Sequence, residues 1–155
     1  DDYKGHQLVS QSTIIPIATG ERLHTIYEFK EVLSRGAAQD LKLDAGLQGG
    51  LTQCKKIAGL AEAYHATVSP HNAWGPVLTA IHVQLAAAIP NFLVLEYRLD
   101  PRDAIVKSPL EVEDGYIKVP EDPGIGVELD EAVCEAHPYS GKDLHLQMMQ
   151  TPLMP

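Results

Sequence analysis

Short apolar runs rich in β-branched residues alternate with longer helical patterns over the first hundred residues. No other feature restricts the possible fold as strongly. Ile14 to Ala18 is the first run, closing at Thr19-Gly20-Glu21; Asp40 to Leu43, Ala66 to Ser69 and Asn91 to Leu95 follow. Between the runs, apolar residues recur at helical spacing. Ile26, Phe29, Val32 and Leu33 do so within 26–34; Ile57, Leu60, Ala61 and Tyr64 within 52–64; and Leu78, Ile81, Leu85 and Ala88 within 75–88. Gly36 stands where a helix C-terminus needs a left-handed residue. Strands this short and this apolar, each followed by a helix, predict an α/β fold with a parallel sheet covered on both faces.

The pattern fades after Asp100, where Pro, Gly and acidic residues become common. Asp114-Gly115 between Val112 and Tyr116-Ile117 predicts a hairpin turn. A short helix is expected from Leu129-Asp130-Glu131 towards Cys134, and little regular structure from His137 to Pro155.

Charge narrows the function classes. A net charge of −9, with basic residues so scattered that only Lys55 and Lys56 are adjacent, excludes a nucleic-acid binder, which needs clustered cations against phosphate. An anionic substrate would need a metal or a few local cations. The two cysteines, Cys54 and Cys134, match no metal spacing and read as free thiols in a reducing compartment. The polar start Asp1-Asp2-Tyr3-Lys4 has no signal-peptide character. The longest apolar stretch, Val83 to Ile89, is too short to span a bilayer. A cytoplasmic protein with no membrane partner is the expectation.

Ionisable residues fall at one structural station. Each expected strand ends in, or is followed by, one: Glu21, Asp44, His71 and Glu96. In a parallel sheet all strand C-termini share a face, so the four should converge. Each has an ordinary alternative. Glu21 suits a helix N-terminus, Asp44 a loop cap and His71 an exposed loop, while Glu96 has Arg98 and Arg102 as ion-pair candidates. Together they suggest chemistry: a carboxylate as hard oxygen ligand for Mg2+, a histidine oriented by a carboxylate for proton transfer, and a second acid facing charge on an enolised carboxylate.

At these residues the chain resembles the mandelate racemase branch of the enolase superfamily. Ile15-Pro-Ile-Ala-Thr-Gly-Glu21-Arg22-Leu23 resembles the end of the fifth barrel strand, which implies that Glu21 is a Mg2+ ligand. Asp44-Ala-Gly-Leu-Gln-Gly-Gly50 is similar to the sixth-strand segment, whose aspartate pairs with a catalytic histidine; Val68-Ser-Pro-His71 supplies that histidine. Leu93-Val-Leu-Glu96-Tyr resembles the eighth strand, whose glutamate hydrogen-bonds to the enediolate. Gly20-Glu21-Arg22-Leu23-His24 and Pro70-His71-Asn72-Ala73-Trp74-Gly75-Pro76 look most like acid-sugar dehydratases of the galactonate and gluconate type. That resemblance implies Mg2+-dependent loss of water from an aldonate to give a 2-keto-3-deoxy acid. Trp74 would line the sugar pocket or simply pack.

The resemblance also implies an architecture: the C-terminal half of a (β/α)8-type, TIM-like barrel. Residues 1–100 would supply four βα units, strands five to eight. Residues 101–155 would form a hairpin and tail returning to an α+β capping domain. That domain and the strands bearing two further metal ligands lie outside the resemblance, so an N-terminal half is an expected partner, as are a sugar-acid substrate and a second copy of the chain. The isolated chain is expected to bind Mg2+ poorly and to be inactive. A racemase, epimerase or cycloisomerase of the same branch, or a non-catalytic half-barrel subunit, would share much of this pattern.

Overall fold

The computed structural model describes residues 2–97 and 104–138. The element order is α1 (Tyr3–Gln11), β1 (Ala18–Thr19), α2 (Ile26–Ser34), β2 (Asp40–Leu41), α3 (Gly50–Ala63), β3 (Thr67–Val68), α4 (Pro76–Ala87), β4 (Val112–Glu113), β5 (Tyr116–Ile117) and α5 (Glu131–Ala136). Strands β1, β2 and β3 form a parallel sheet in sequence order, with Ala18 opposite Asp40 and Asp40 opposite Thr67. Asp40, nearly buried, stitches β2 to β3 by accepting from Thr67 Oγ1 at 2.7 Å and Ser69 Oγ at 2.9 Å.

The strands are shorter than the apolar runs that carry them. In the first run, Ile14 and Ile15 are exposed and pairing begins only at Ile17, whose carbonyl accepts from Gln39 N at 2.9 Å. The expected strand Asn91–Leu95 is a single parallel bridge from Phe92 to Val68. It is hydrogen-bonded through Val68 N to Asn91 O and Leu93 N to Val68 O, both 2.9 Å. Among the described residues no strand pairs with its other side, and Leu93 and Val94 stay exposed. A strand needs a ladder, and apolar composition alone does not provide one.

Local signals place the helices. A capping box joins Thr25 and Glu28 at the start of α2, satisfying otherwise orphaned N–H groups. Gly36, at φ +60°, ends the helix. Gly36 N bonds to Leu33 O and Ala37 N to Val32 O, the paired pattern that glycine permits at this position. Helix α3 ends the same way with His65 left-handed at φ 58°. Phe29, Val32 and Leu33 of α2 are buried. The buried face of α3 is turned from its expected stripe: Cys54, Ile57, Ala58 and Ala61 are inside, whereas Tyr64 is exposed. In α4, Leu78 and Leu85 are buried as expected, but Ala88 is exposed and the inner face includes Thr79 and His82.

The Asp114-Gly115 turn joins β4 and β5 as an antiparallel hairpin, with φ of 51° and 82° at its two residues, the backbone that suits the twist of a two-residue hairpin. Gln84 Nε2 of α4 donates to Pro120 O at 3.0 Å, fastening the segment after the hairpin. The short helix near Cys134 is α5, with Asp130 as its cap. Most of the expected unstructured tail, and Arg98 and Arg102, lie outside the described residues. No helix among the described residues is long and apolar enough to cross a membrane.

Candidate functional site

Pairing continues past the short strands and sets the site. Lys42 N donates to Thr19 O at 2.9 Å, Ser69 N to Leu41 O at 3.0 Å and His71 N to Leu43 O at 2.7 Å. These bonds carry the ladder up to the loops holding Glu21, Asp44 and His71, so three successive C-terminal ends deliver their side chains to one place.

Asp44 is the centre of the cluster. It is fully buried, yet its oxygens are well supplied with donors. Oδ1 accepts from Gly46 N, and Oδ2 from Trp74 Nε1, each at 2.8 Å. Oδ2 also meets His71 Nδ1 at 2.8 Å. Against a carboxylate, Nδ1 of a neutral imidazole carries the proton, so Nε2 is left with its lone pair. That nitrogen points towards Glu21, with Nε2 to Oε2 at 3.9 Å, too far for a hydrogen bond. The Glu21 side chain is 54% exposed and that of His71 17%. Glu96 comes near through the main chain, its Oε2 accepting from Asn72 N at 3.2 Å.

The structure thus brings Glu21, Asp44 and His71 together, with Glu96 bonded to the backbone of Asn72, the residue after His71. It gives Trp74 a contact that packing alone does not describe, an indole N–H bonded to the buried carboxylate. For a metal ion, Glu21 offers a hard oxygen donor on a loop open to solvent. Among the described residues no group of three or more His, Cys, Asp or Glu residues gathers to enclose an ion. The donor type suits Mg2+, which prefers one or two carboxylates and completes its shell with water and substrate oxygens.

Three buried polar residues that the sequence pattern did not single out hold these loops. Gln48 accepts from Asp44 N through Oε1, while its Nε2 donates to Leu23 O at 2.8 Å and Gly20 O at 3.4 Å. It therefore ties the Glu21 loop to the Asp44 loop. Asn72 Nδ2 donates to Thr79 Oγ1 at 2.9 Å. His82, with no exposed surface, lies between Ala45 N and Asn72 Oδ1. Desolvation pushes its imidazole down to about 4; the Asp44 charge works upward and His71 downward. Its signal in the sequence was faint: a single histidine within an apolar helix. Cys54, beneath Gln48, has its thiol pushed up to about 12, first by burial and then by Asp44.

The profile of the enolase C-terminal domain-like family matches residues 1–133. A D-xylonate dehydratase from Haloferax volcanii is 35% identical over 147 residues, covering 93% of this chain and 36% of that protein. A D-gluconate dehydratase from Thermoproteus tenax is 37% identical over 142 residues, covering 88% of this chain and 28% of that protein. In structure, a mandelate racemase/muconate lactonizing enzyme-like protein from Roseovarius sp. TM1035 superposes with a TM-score of 0.89 at 46% identity, covering 94% of this chain and 37% of that one. The chain therefore spans about a third of the length of the relatives it matches. Its fold is the C-terminal half of a (β/α)8-type barrel.

Proposed function

The chain belongs to the enolase C-terminal domain-like family, and from that premise we propose that it is the barrel half of a sugar-acid dehydratase. The reaction is β-elimination of water from an aldonate to give a 2-keto-3-deoxy acid. The observation that carries this reading is the His71–Asp44 pair, at 2.8 Å, with Nε2 turned towards the Glu21 carboxylate. The Haloferax and Thermoproteus relatives are dehydratases of acid sugars, which favours elimination over racemisation.

Asp44 fixes the Nδ1–H tautomer, so His71 Nε2 is the atom that accepts the proton beside the substrate carboxylate or returns one to the departing hydroxyl. Glu96 hydrogen-bonds to the enolised carboxylate from the neighbouring strand end. Trp74 holds Asp44 and forms part of the sugar pocket. Glu21 would supply one oxygen ligand to Mg2+, and the ion, when bound, neutralises negative charge on the substrate carboxylate. The other protein ligands and the pocket's cover would come from an N-terminal half with a capping domain.

The test is 2-keto-3-deoxy acid formation from a panel of aldonates by the full-length protein, with and without Mg2+. Metal-dependent product is expected, and His71→Asn should lower turnover by about 10²–10⁴-fold, the usual worth of a positioned acid–base group. Metal-dependent exchange of the α-proton without keto acid would replace dehydration by racemisation or epimerisation. Neither product nor exchange on any acid sugar would overturn the reading.

A further inference from the structure

Three loops carry the site, and two of them, already joined by the His71–Asp44 and Trp74–Asp44 bonds, are bridged a second time by one side chain of α4. His82 Nε2 lies 3.0 Å from Ala45 N, the residue after Asp44, and Nδ1 lies 3.2 Å from Asn72 Oδ1, the residue after His71. A ring nitrogen that accepts a backbone N–H carries no proton, so the proton of a neutral His82 sits on Nδ1 and donates to Asn72 Oδ1. Asn72 has two further ties: Nδ2 donates to Thr79 Oγ1, and its own N–H donates to Glu96 Oε2. His82 and Asn72 are both buried, where a broken partner leaves a polar group unsatisfied at full cost. The arrangement therefore has little room to slip.

We propose that His82 is a positioning residue, which clasps the loop bearing Asp44 to the loop bearing His71 through Ala45 N–H and the Asn72 side chain, and reaches Glu96 through the Asn72 main chain. The consequence for chemistry rests on the dehydratase reading above; the clasp itself does not. Burial keeps the ring neutral, which the clasp requires, because a protonated Nε2 would present a second donor to the Ala45 N–H.

The full-length protein with ¹⁵N-labelled histidine tests this by NMR. Wild-type His82 is expected as the Nδ1–H tautomer, and His71 should show a low-field Nδ1 proton from its bond to Asp44. In His82→Leu that His71 resonance should broaden or move upfield. Turnover should fall by up to about 100-fold, as expected for a misplacement near 1 Å, with KM little changed. His82→Gln, which keeps an acceptor at the depth of Nε2, should restore the resonance and most of the turnover. An unchanged His71 resonance in His82→Leu would overturn the proposal. So would an Nε2–H tautomer in the wild type, a result that needs no variant to fold. A protein that turns over no aldonate but shows the expected resonances would retire the dehydratase reading and leave the clasp standing.

Discussion

Acid should weaken this fold through His82 by an amount that the structure sets. Burial holds its imidazole down at about 4 against 6.5 for an ordinary histidine. Asp44 and His71 face it with opposing influences, which leaves desolvation in control. Because the folded value is the lower one, the unfolded chain binds the extra proton. The contribution to stability is complete above about pH 6.5 and is lost as pH falls towards about 4, with a slope near 1.4 kcal/mol per pH unit inside that window. Between pH 7 and pH 5 the loss from this one group comes to about 2 kcal/mol. His82→Gln removes the titration but keeps a neutral polar side chain, at a cost near neutral pH of about 1–3 kcal/mol for imperfect hydrogen bonds. Urea unfolding of both proteins at pH 7 and pH 5, at one ionic strength, reads the difference. Other groups titrate in both proteins and cancel, so the stability difference should shift by about 2 kcal/mol in favour of His82→Gln at the lower pH. A gap that stays constant would refute the reasoning, because it would mean that the ring is solvated or already charged in the native state.

Two further outcomes follow from close packing and burial near the site. Gly20 sits at φ +139°, and a Cβ there would lie 2.8 Å from Phe29 Cε1 and 3.1 Å from Lys42 O, whereas one on Gly36, at φ +60°, meets nothing within 4 Å. Gly20→Ala should therefore lower stability by about 1–3 kcal/mol more than Gly36→Ala, measured by denaturant unfolding. At pH 8 alkylation should take half-buried Cys134 first. Cys54, with its thiol near 12, has only about 1 in 10⁴ molecules as reactive thiolate, so mass spectrometry should find it unmodified until the protein unfolds.

Much of the architecture is legible along the chain because it depends on local physics. Helix α2 runs from Ile26 to Ser34, as its apolar spacing predicts, because those residues can bury one stripe. Gly36 ends it because a left-handed residue is needed there. Asp114-Gly115 makes its hairpin turn for the same backbone reason. The strands were harder to delimit. Ile14 and Ile15 have strand composition without a ladder, and Asn91–Leu95 holds only a bridge at Phe92, since a strand exists through its neighbour. The buried faces of α3 and α4 also depart from their apolar stripes, because what packs against a helix decides which side is inside.

The order of acidic residues and a histidine after successive apolar runs was determined by the sequence alone, and parallel strand geometry makes such residues converge. Tertiary structure decided which of them touch and through which atoms. Asp44 becomes the buried hub for His71 and Trp74, whereas Glu21 stays open to solvent 3.9 Å from His71. Gln48, Asn72 and His82 became visible as the frame only in three dimensions. Each has a partner on another element, up to 37 residues away in the case of His82 and Ala45. No periodicity records such a bond, because it forms only after the core has brought the two segments together.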